Sequence, residues 1–385
     1  MAIYLDNSAT SFPKPECVYQ AMDSYMRNNG ASSGRGNYAR ARDAGELIYN
    51  TRKGIAKLLG AKKPSTIVFT SNATDSLNII LKGYLKEDDT VLTSDIEHNA
   101  MWRPLHAIQN EKKIKIKTFH CSPTGEIDLS EIRDKINSGV SLVATIHGSN
   151  VIGNILPLEQ IVAIAHEKQV PVLADAAQTA GVYPISITDS GVDFLAFTGH
   201  KSLYGPMGIG GFYIREGMQL RTLKEGGTGT ISKSLLQPEN APDRYETGTM
   251  NMVGIAGLGA AIEFLLETGI DKISAHENKL TLALIEGLSK FEQVEVYGPK
   301  IGQERLGLVT FNIKDTNPYD VSCWLDEQIG IMLRGGLHCS PLAHKVLGTL
   351  ETGALRASVG YFNSLEDISC LVESIGTYIK MKNIK

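Results

Sequence analysis

FLAFTGHKSLYGPMGIGGFYI, residues 194–214, places a glycine-rich polar loop between two apolar runs. An apolar strand runs to Thr198 and stops. Gly199, His200 and Lys201 follow in a loop that also holds Gly205, Pro206, Gly208, Gly210 and Gly211, after which a second apolar run continues to Ile214. Upstream, from about residue 65, short β-branched runs alternate with amphipathic stretches, the pattern of a mostly parallel sheet in an α/β domain. The pattern predicts strands at Ile67–Ser71, Val91–Asp95, Ile114–Phe119, Leu142–His147, Val170–Asp175, Asp193–Thr198 and Gly211–Ile214. Helices lie between them, such as Leu158–Lys168, where Leu158, Ile161, Val162 and Ala165 recur at helical spacing. Open α/β sheets bind ligands beyond the carboxyl ends of their strands. Polar residues just past these runs are therefore the first candidates for chemistry.

Outside this block, Cys17–Asn28 carries one apolar stripe of Val18, Ala21, Met22, Tyr25 and Met26 and predicts a helix. After the Gly- and Thr-rich Gly226–Ile231, helices are expected at about Met252–Thr268 and Ile270–Phe291, with strands at Val294–Tyr297, Leu308–Ile313 and Ile331–Arg334. A closing helix places Ile368, Leu371, Val372, Ile375 and Ile379 on one face. The expected organisation is a large domain over residues 15–265 and a smaller α+β domain built from 1–14 and 266–385.

Composition narrows the function classes. Lys plus Arg number 38 against 42 Asp plus Glu, a net charge of −4 that disfavours a nucleic-acid binder. The longest apolar stretch, Met252 to Leu266, is broken by three glycines and Glu263 and falls short of the roughly 20 residues a membrane span needs. MAIYLDNSAT has no basic region followed by a long apolar one, so no export signal is expected and the cytoplasm is the expected location. Five cysteines, widely spaced and odd in number, argue against a disulfide framework. No CxxC or HExxH occurs, so no metal site is expected. GRGNYA from Gly34 and GLGAAI from Gly257 lack the third glycine of a dinucleotide fingerprint.

A lysine at the mouth of a buried strand can have its pKa lowered enough to form a Schiff base, although an isolated lysine in a turn is usually a solvated one. Lys201 gains weight only if other residues meet the needs of a bound aldehyde. Pyridoxal phosphate requires an imine lysine, an anion near the ring nitrogen, a flat partner over the ring and a phosphate cradle. Asp175 ends the strand VPVLAD and suits the ring nitrogen, or serves as a helix cap; Gln178 is within reach of the ring hydroxyl. TSNATDSLN, residues 70–78, turns from strand to helix and offers exposed amides at Ala73 and the hydroxyl of Thr74 to a dianion. His98 in SDIEHNAMW can stack on the ring and shuttle protons, or be an ordinary satisfied histidine. In IMLRGGLHCSP, Cys339 sits on a polar glycine-rich loop near Arg334 and His338, a setting that favours a thiolate. Arg356 in LRASVGYFN offers a planar fork to a carboxylate, or forms a surface ion pair.

Taken together, YLDNSAT, the phosphate segment, EHNA, HGSNVIG, ADAAQ, TGHK with its GP and GIGG, ETGTMN, RGGLHC and RASVGYFN resemble the class V aminotransferases among fold-type I pyridoxal-phosphate enzymes. Within that family the likeness is to cysteine desulfurases, including selenocysteine lyase-like members, and runs nearly end to end. The resemblance implies that Lys201 carries the cofactor, Asp175 pairs with the pyridinium, Gln178 with the ring hydroxyl, and His98 stacks. It implies Ala73, Thr74, Thr198 and His200 as phosphate ligands, and Thr249 as a residue reaching the phosphate of a neighbouring subunit in a homodimer. Asn150 and Arg356 match substrate-binding positions, Arg334 a residue that shapes the pocket, and Cys339 the persulfide-forming cysteine. HKSLYGP has one residue more between Lys201 and the Gly-Pro than the common spacing; Thr198 stands where serine is usual, Tyr38 where histidine is frequent and Ser340 where alanine follows the cysteine. The short interval around Cys339 resembles the branch that commonly hands sulfur to an acceptor protein.

The expected activity is conversion of L-cysteine to L-alanine, with sulfur left on Cys339 and Lys201, Cys339 and His98 as the catalytic groups. Selenocysteine lysis, or another β-elimination or transamination on the same scaffold, keeps the cofactor and changes the substrate. A non-enzymatic scaffold is the reading from a different class, and a colourless protein indifferent to added cofactor would mark it.

Overall fold

The computed structural model describes residues 2–33, 36–137, 139–230 and 233–384. Of the segments named above, Met1, Gly34, Arg35 and Ile231 lie outside them. The chain opens on a two-residue strand, β1 (Ile3–Tyr4), and then builds β2 (Ile67–Thr70), β3 (Thr90–Ser94), β4 (Lys115–Phe119), β5 (Leu142–Ile146), β6 (Val172–Asp175), β7 (Phe194–Thr198) and β8 (Gly210–Ile214). The last seven form one sheet in the order β2-β8-β7-β6-β5-β3-β4, in which only β8 runs against its neighbours. The fold is α/β with a mainly parallel central sheet.

Helices cover both faces of this sheet, which is why its strands read as nearly unbroken apolar runs. In β7, Leu195 and Phe197 enter the core on one face while Phe194 and Ala196 enter the core on the other. The predicted strands agree with the observed ones to within two residues at each end. The Cys17–Asn28 expectation is met by an α-helix, Glu16–Ser24, that widens into a π-helical turn, Tyr25–Asn29, and stops at Gly30, whose φ is +62°.

A second sheet, β12-β13-β10-β9, is antiparallel throughout and packs on the helices Ile270–Leu288 and Leu365–Met381; its strands are β9 (Val294–Tyr297), β10 (Leu308–Ile313), β12 (Arg334–Gly336) and β13 (Ala354–Ser358). The strand expected at Ile331–Arg334 is two strands. Ile331–Met332, β11, pairs in parallel with β1, and the chain then crosses at Leu333 so that β12 pairs with β13. The amino terminus is thereby stitched to the segment that leads into the cysteine loop. Among the described residues no single helix is long and apolar enough to cross a membrane; the glycine-rich Met252–Thr268 helix is a core element that meets its successor at 82°.

Candidate active site

The carboxyl ends of β2, β3, β5, β6 and β7 surround a cavity. Into it project Ala73 and Thr74 from the turn after β2, His98 after β3, Asn150 after β5, Asp175 and Gln178 at the end of β6, and Thr198, His200 and Lys201 at the end of β7. Nine of the sequence candidates thus converge, counting the two from the β2 turn separately. Each sits at or just beyond a strand end because a buried strand must release its polar residues where the sheet stops.

At the β2 turn, Asn72 caps the helix Ala73–Tyr84 by accepting from the amide of Asp75 at 2.9 Å. The amides of Ala73 and Thr74 carry no acceptor among the described residues, as expected of a helix's first turn. Thr198 Oγ1 and His200 Nδ1 on the facing wall are buried and equally without partners. Unsatisfied buried donors are costly. Two such buried polar atoms, together with the two free amides of a helix's first turn, suit a phosphate.

Deeper in, Asp175 is 3% exposed and accepts from the amide of Ala177 at 3.0 Å. Burial raises its pKa, and the charge of Lys201 works against that rise. Lys201 is pushed down to about 8, chiefly by burial and further by the Arg356 and Arg334 guanidiniums, against the attraction of Asp175 and Cys339. A lysine near 8 is partly a neutral amine at neutral pH, the form in which it is a nucleophile and base. Gln178 Nε2 donates to the carbonyl of Ser8 at 3.0 Å, which tethers the amino-terminal loop to the cavity wall.

His98 serves two purposes. It is the N-cap of the helix Asn99–Lys112, its Nδ1 accepting from the amide of Ala100 at 3.0 Å. That bond places the proton of the neutral ring on Nε2. Burial, then Lys201, Arg103 and Arg356, hold its pKa at about 4, so the ring is a neutral N–H donor across the ordinary pH range.

The remaining candidates lie at the rim. Arg356, 1% exposed on β13, donates from Nη1 to the carbonyl of Asn150 at 3.0 Å and from Nη2 to Asp6 at 2.6 Å, while its Nε is buried without a partner. Asn150 donates to the carbonyl of His338 at 2.7 Å and accepts from the hydroxyl of Ser340 at 2.7 Å, so it grips the chain on both sides of Cys339. Cys339 itself is exposed, and its carbonyl accepts from the amide of Asn99, the residue after His98, at 3.0 Å. The charge of its thiolate favours the protonated forms of Lys201 and Arg356. Arg334 is half-exposed, outside the cavity, with Nε 3.5 Å from Asp6. Thr249 is also outside, in an exposed groove beside Ser71 and Gly208.

Three groups escaped the sequence reading. Asp6 orients Arg356 and Arg334 together. Glu97 is fully buried next to His98, its Oε1 accepting from the amide of Ile146 at 2.8 Å while Oε2 has no partner; burial raises its pKa to about 8, with Asp175 adding to the rise. Ser340 holds Asn150. Glu97 carried no separate signal, because it stands among the polar Ser94, Asp95, His98 and Asn99.

Residues 3–371 match the aminotransferase class-V family. A probable cysteine desulfurase of Methanothermobacter thermautotrophicus is 34% identical over 380 residues, 97% of this chain and 94% of that protein. A cysteine desulfurase of Salmonella agona is 33% identical over 382 residues, 97% of this chain and 92% of the relative. Among solved structures, a cysteine desulfurase from Thermococcus onnurineus superposes with a TM-score of 0.93 at 35% identity, covering 98% of this chain and 95% of that one. The cysteine desulfurase CsdA from Escherichia coli gives 0.90 at 28% identity, covering 99% and 95%.

Proposed function

The chain belongs to the class V aminotransferase family, and from that membership we propose that it is a pyridoxal-phosphate-dependent cysteine desulfurase, converting L-cysteine to L-alanine and leaving the sulfur on Cys339. The observation that carries this reading is the convergence of a lysine, a buried aspartate and four unpaired polar groups on one cavity, with a cysteine loop bonded to Asn150 at its rim. The residues present fit the cofactor. The amides of Ala73 and Thr74, Thr198 Oγ1 and His200 Nδ1 would hold the phosphate, Asp175 the ring nitrogen, Gln178 the ring hydroxyl and Lys201 the aldehyde carbon. Bound there, pyridoxal phosphate would supply an electron-accepting ring in conjugation with the substrate α-carbon.

Arg356 and Asn150 bind the substrate carboxylate. Lys201, held near neutrality by burial, takes the α-proton on Nζ and returns it at the end of the cycle. The Cys339 sulfur attacks the substrate sulfur: an S–S bond forms as the Cβ–S bond breaks, and the bonding pair stays with Cβ. The two thiols bring two protons, one of which ends on the persulfide and the other in the new methyl group. His98 Nε2–H is a donor lining the same cavity. The position of Thr249 in an exposed groove outside its own chain's cavity supports a homodimer in which it serves the neighbouring site. The location proposed is the cytoplasm, with a sulfur-acceptor protein as the partner.

After incubation of the holoenzyme with L-cysteine, peptide mass spectrometry is expected to find one added sulfur on the peptide containing Cys339. Cys339→Ala should lose sulfur transfer by a factor on the order of 100 or more while retaining bound cofactor. Transfer that persists in that variant, or sulfur mapped to another cysteine, discards the assignment.

A further inference from the structure

Cys339 follows His338, and both adopt left-handed backbone, with φ of +60° and +52°. Two successive non-glycine residues in that region need to be held there. Asn150, Ser340 and Asn99 secure the turn from the side of the large sheet. On the other side lies a feature that the proposed reaction does not use. The His338 ring is buried and stacked on that of His344, centroids 5.1 Å apart, with Nδ1 of the first 3.0 Å from Nε2 of the second. His338 Nε2 is 3.3 Å from the carbonyl of Arg334, and His344 Nδ1 is 2.8 Å from Thr349 Oγ1.

The direction of every hydrogen bond in this series follows from its first member. A carbonyl only accepts, so His338 carries its proton on Nε2 and its Nδ1 must accept. His344 therefore donates from Nε2, its Nδ1 accepts, and Thr349 turns its single hydroxyl proton to that nitrogen at 2.8 Å rather than to the His344 carbonyl at 3.4 Å. Burial keeps both rings neutral, His344 at about 4 and His338 well below the usual imidazole value, in keeping with a chain that has no place for an extra proton. The chain closes residues 334–349 into a ring whose strained corner presents Cys339.

We propose that Thr349, His344 and His338 form a one-way hydrogen-bond chain of fixed tautomers that positions Cys339 for attack, which makes His344 and Thr349 positioning residues of the sulfur-accepting loop. The inference rests on the desulfurase reading for its consequence, and on geometry alone for its existence.

Two measurements on the holoenzyme separate these. With ¹⁵N-labelled histidine, imidazole NMR is expected to show Nε2–H tautomers at both His338 and His344; an Nδ1–H form at either overturns the chain. Alkylation of Cys339 by iodoacetamide, which needs no substrate, and sulfur loading from L-cysteine in a single turnover are then followed in variants. His344→Phe keeps a flat ring and removes the donor, and should slow both by about tenfold. The absorbance change of the cofactor on adding cysteine should stay at the wild-type rate. His344→Gln, which can still donate to His338, should recover most of the loss. Thr349→Val and Thr349→Ser repeat the contrast with less risk to folding. Wild-type rates of alkylation and loading in both His344→Phe and Thr349→Val overturn the proposal. A wild-type enzyme that alkylates at Cys339 yet never gains sulfur there would instead remove the desulfurase reading and leave the chain standing.

Discussion

Arg356 is the residue on which substrate recognition turns. A guanidinium 1% exposed is expensive to bury unless its N–H groups are matched, and here Asn150 and Asp6 take two while Nε is left over. Asp6 fixes the plane of the fork, so the spare donors keep a constant direction toward an incoming carboxylate. Lysine cannot reproduce three donors in one plane. Arg356→Lys is therefore expected to raise KM for L-cysteine about tenfold or more with a smaller change in kcat, read from steady-state alanine release; an unchanged KM would show that the carboxylate binds elsewhere. The residues that announce themselves in the sequence, Lys201, Asp175 and His98, do so because each stands at or a few residues past the end of an apolar strand. Asp6 does not, since its meaning depends on a partner 350 positions away in the chain.

At the scale of elements, the phosphate cradle depends on β8 lying close against the β2 turn. Gly210 makes that approach possible: a Cβ there would stand 2.8 Å from the Asn72 Cα and 2.8 Å from the Phe197 carbonyl oxygen, both backbone atoms that cannot step aside. Gly210→Ala should push β8 from β7 and the cap of the Ala73–Tyr84 helix. The expected cost is about 1–3 kcal/mol in urea unfolding, typical of overpacking, together with faster loss of bound cofactor on dialysis. An alanine variant of wild-type stability that retains its cofactor would contradict this account. The strands of the large sheet were legible because burial on both faces leaves one simple apolar signature. The twenty-residue helix Ala39–Leu58 was not. Its inward stripe is made of Ala41, Ala44, Thr51 and Arg52 as much as of Ile55 and Leu58, and Arg52 is buried only because Glu246, far along the chain, pairs with it at 2.7 Å. The split of Ile331–Arg334 into two strands likewise depends on partners, β1 and β13, that local pattern does not name.

Across the whole molecule, the lysine loop and the second sheet's helices are joined by a buried polar contact. Tyr204, in the longer HKSLYGP loop and at a φ of +56°, donates to Glu277 Oε1 at 3.2 Å and accepts from the amide of Tyr361 at 2.7 Å. Glu277 lies on the helix Ile270–Leu288, and burial raises its pKa from 4.5 to about 8, so it is protonated in the folded protein at neutral pH. Between those two values the folded chain holds a proton that the unfolded chain releases. The contribution of this carboxyl to stability is therefore complete below pH 4.5 and declines as pH rises toward 8, by at most about 1.4 kcal/mol per pH unit. Glu97 shares the sign and the window, being raised to about 8 by its own burial. Glu277→Gln keeps the shape and an acceptor for Tyr204 but cannot ionise. Urea midpoints measured from pH 5 to 8 should fall less steeply in Glu277→Gln than in the wild type, and the Glu97→Gln, Glu277→Gln double variant should be flatter still. If the single variant keeps the full wild-type slope, Glu277 is ionised in the folded protein, and Tyr204 donates to a carboxylate rather than to a neutral carboxyl.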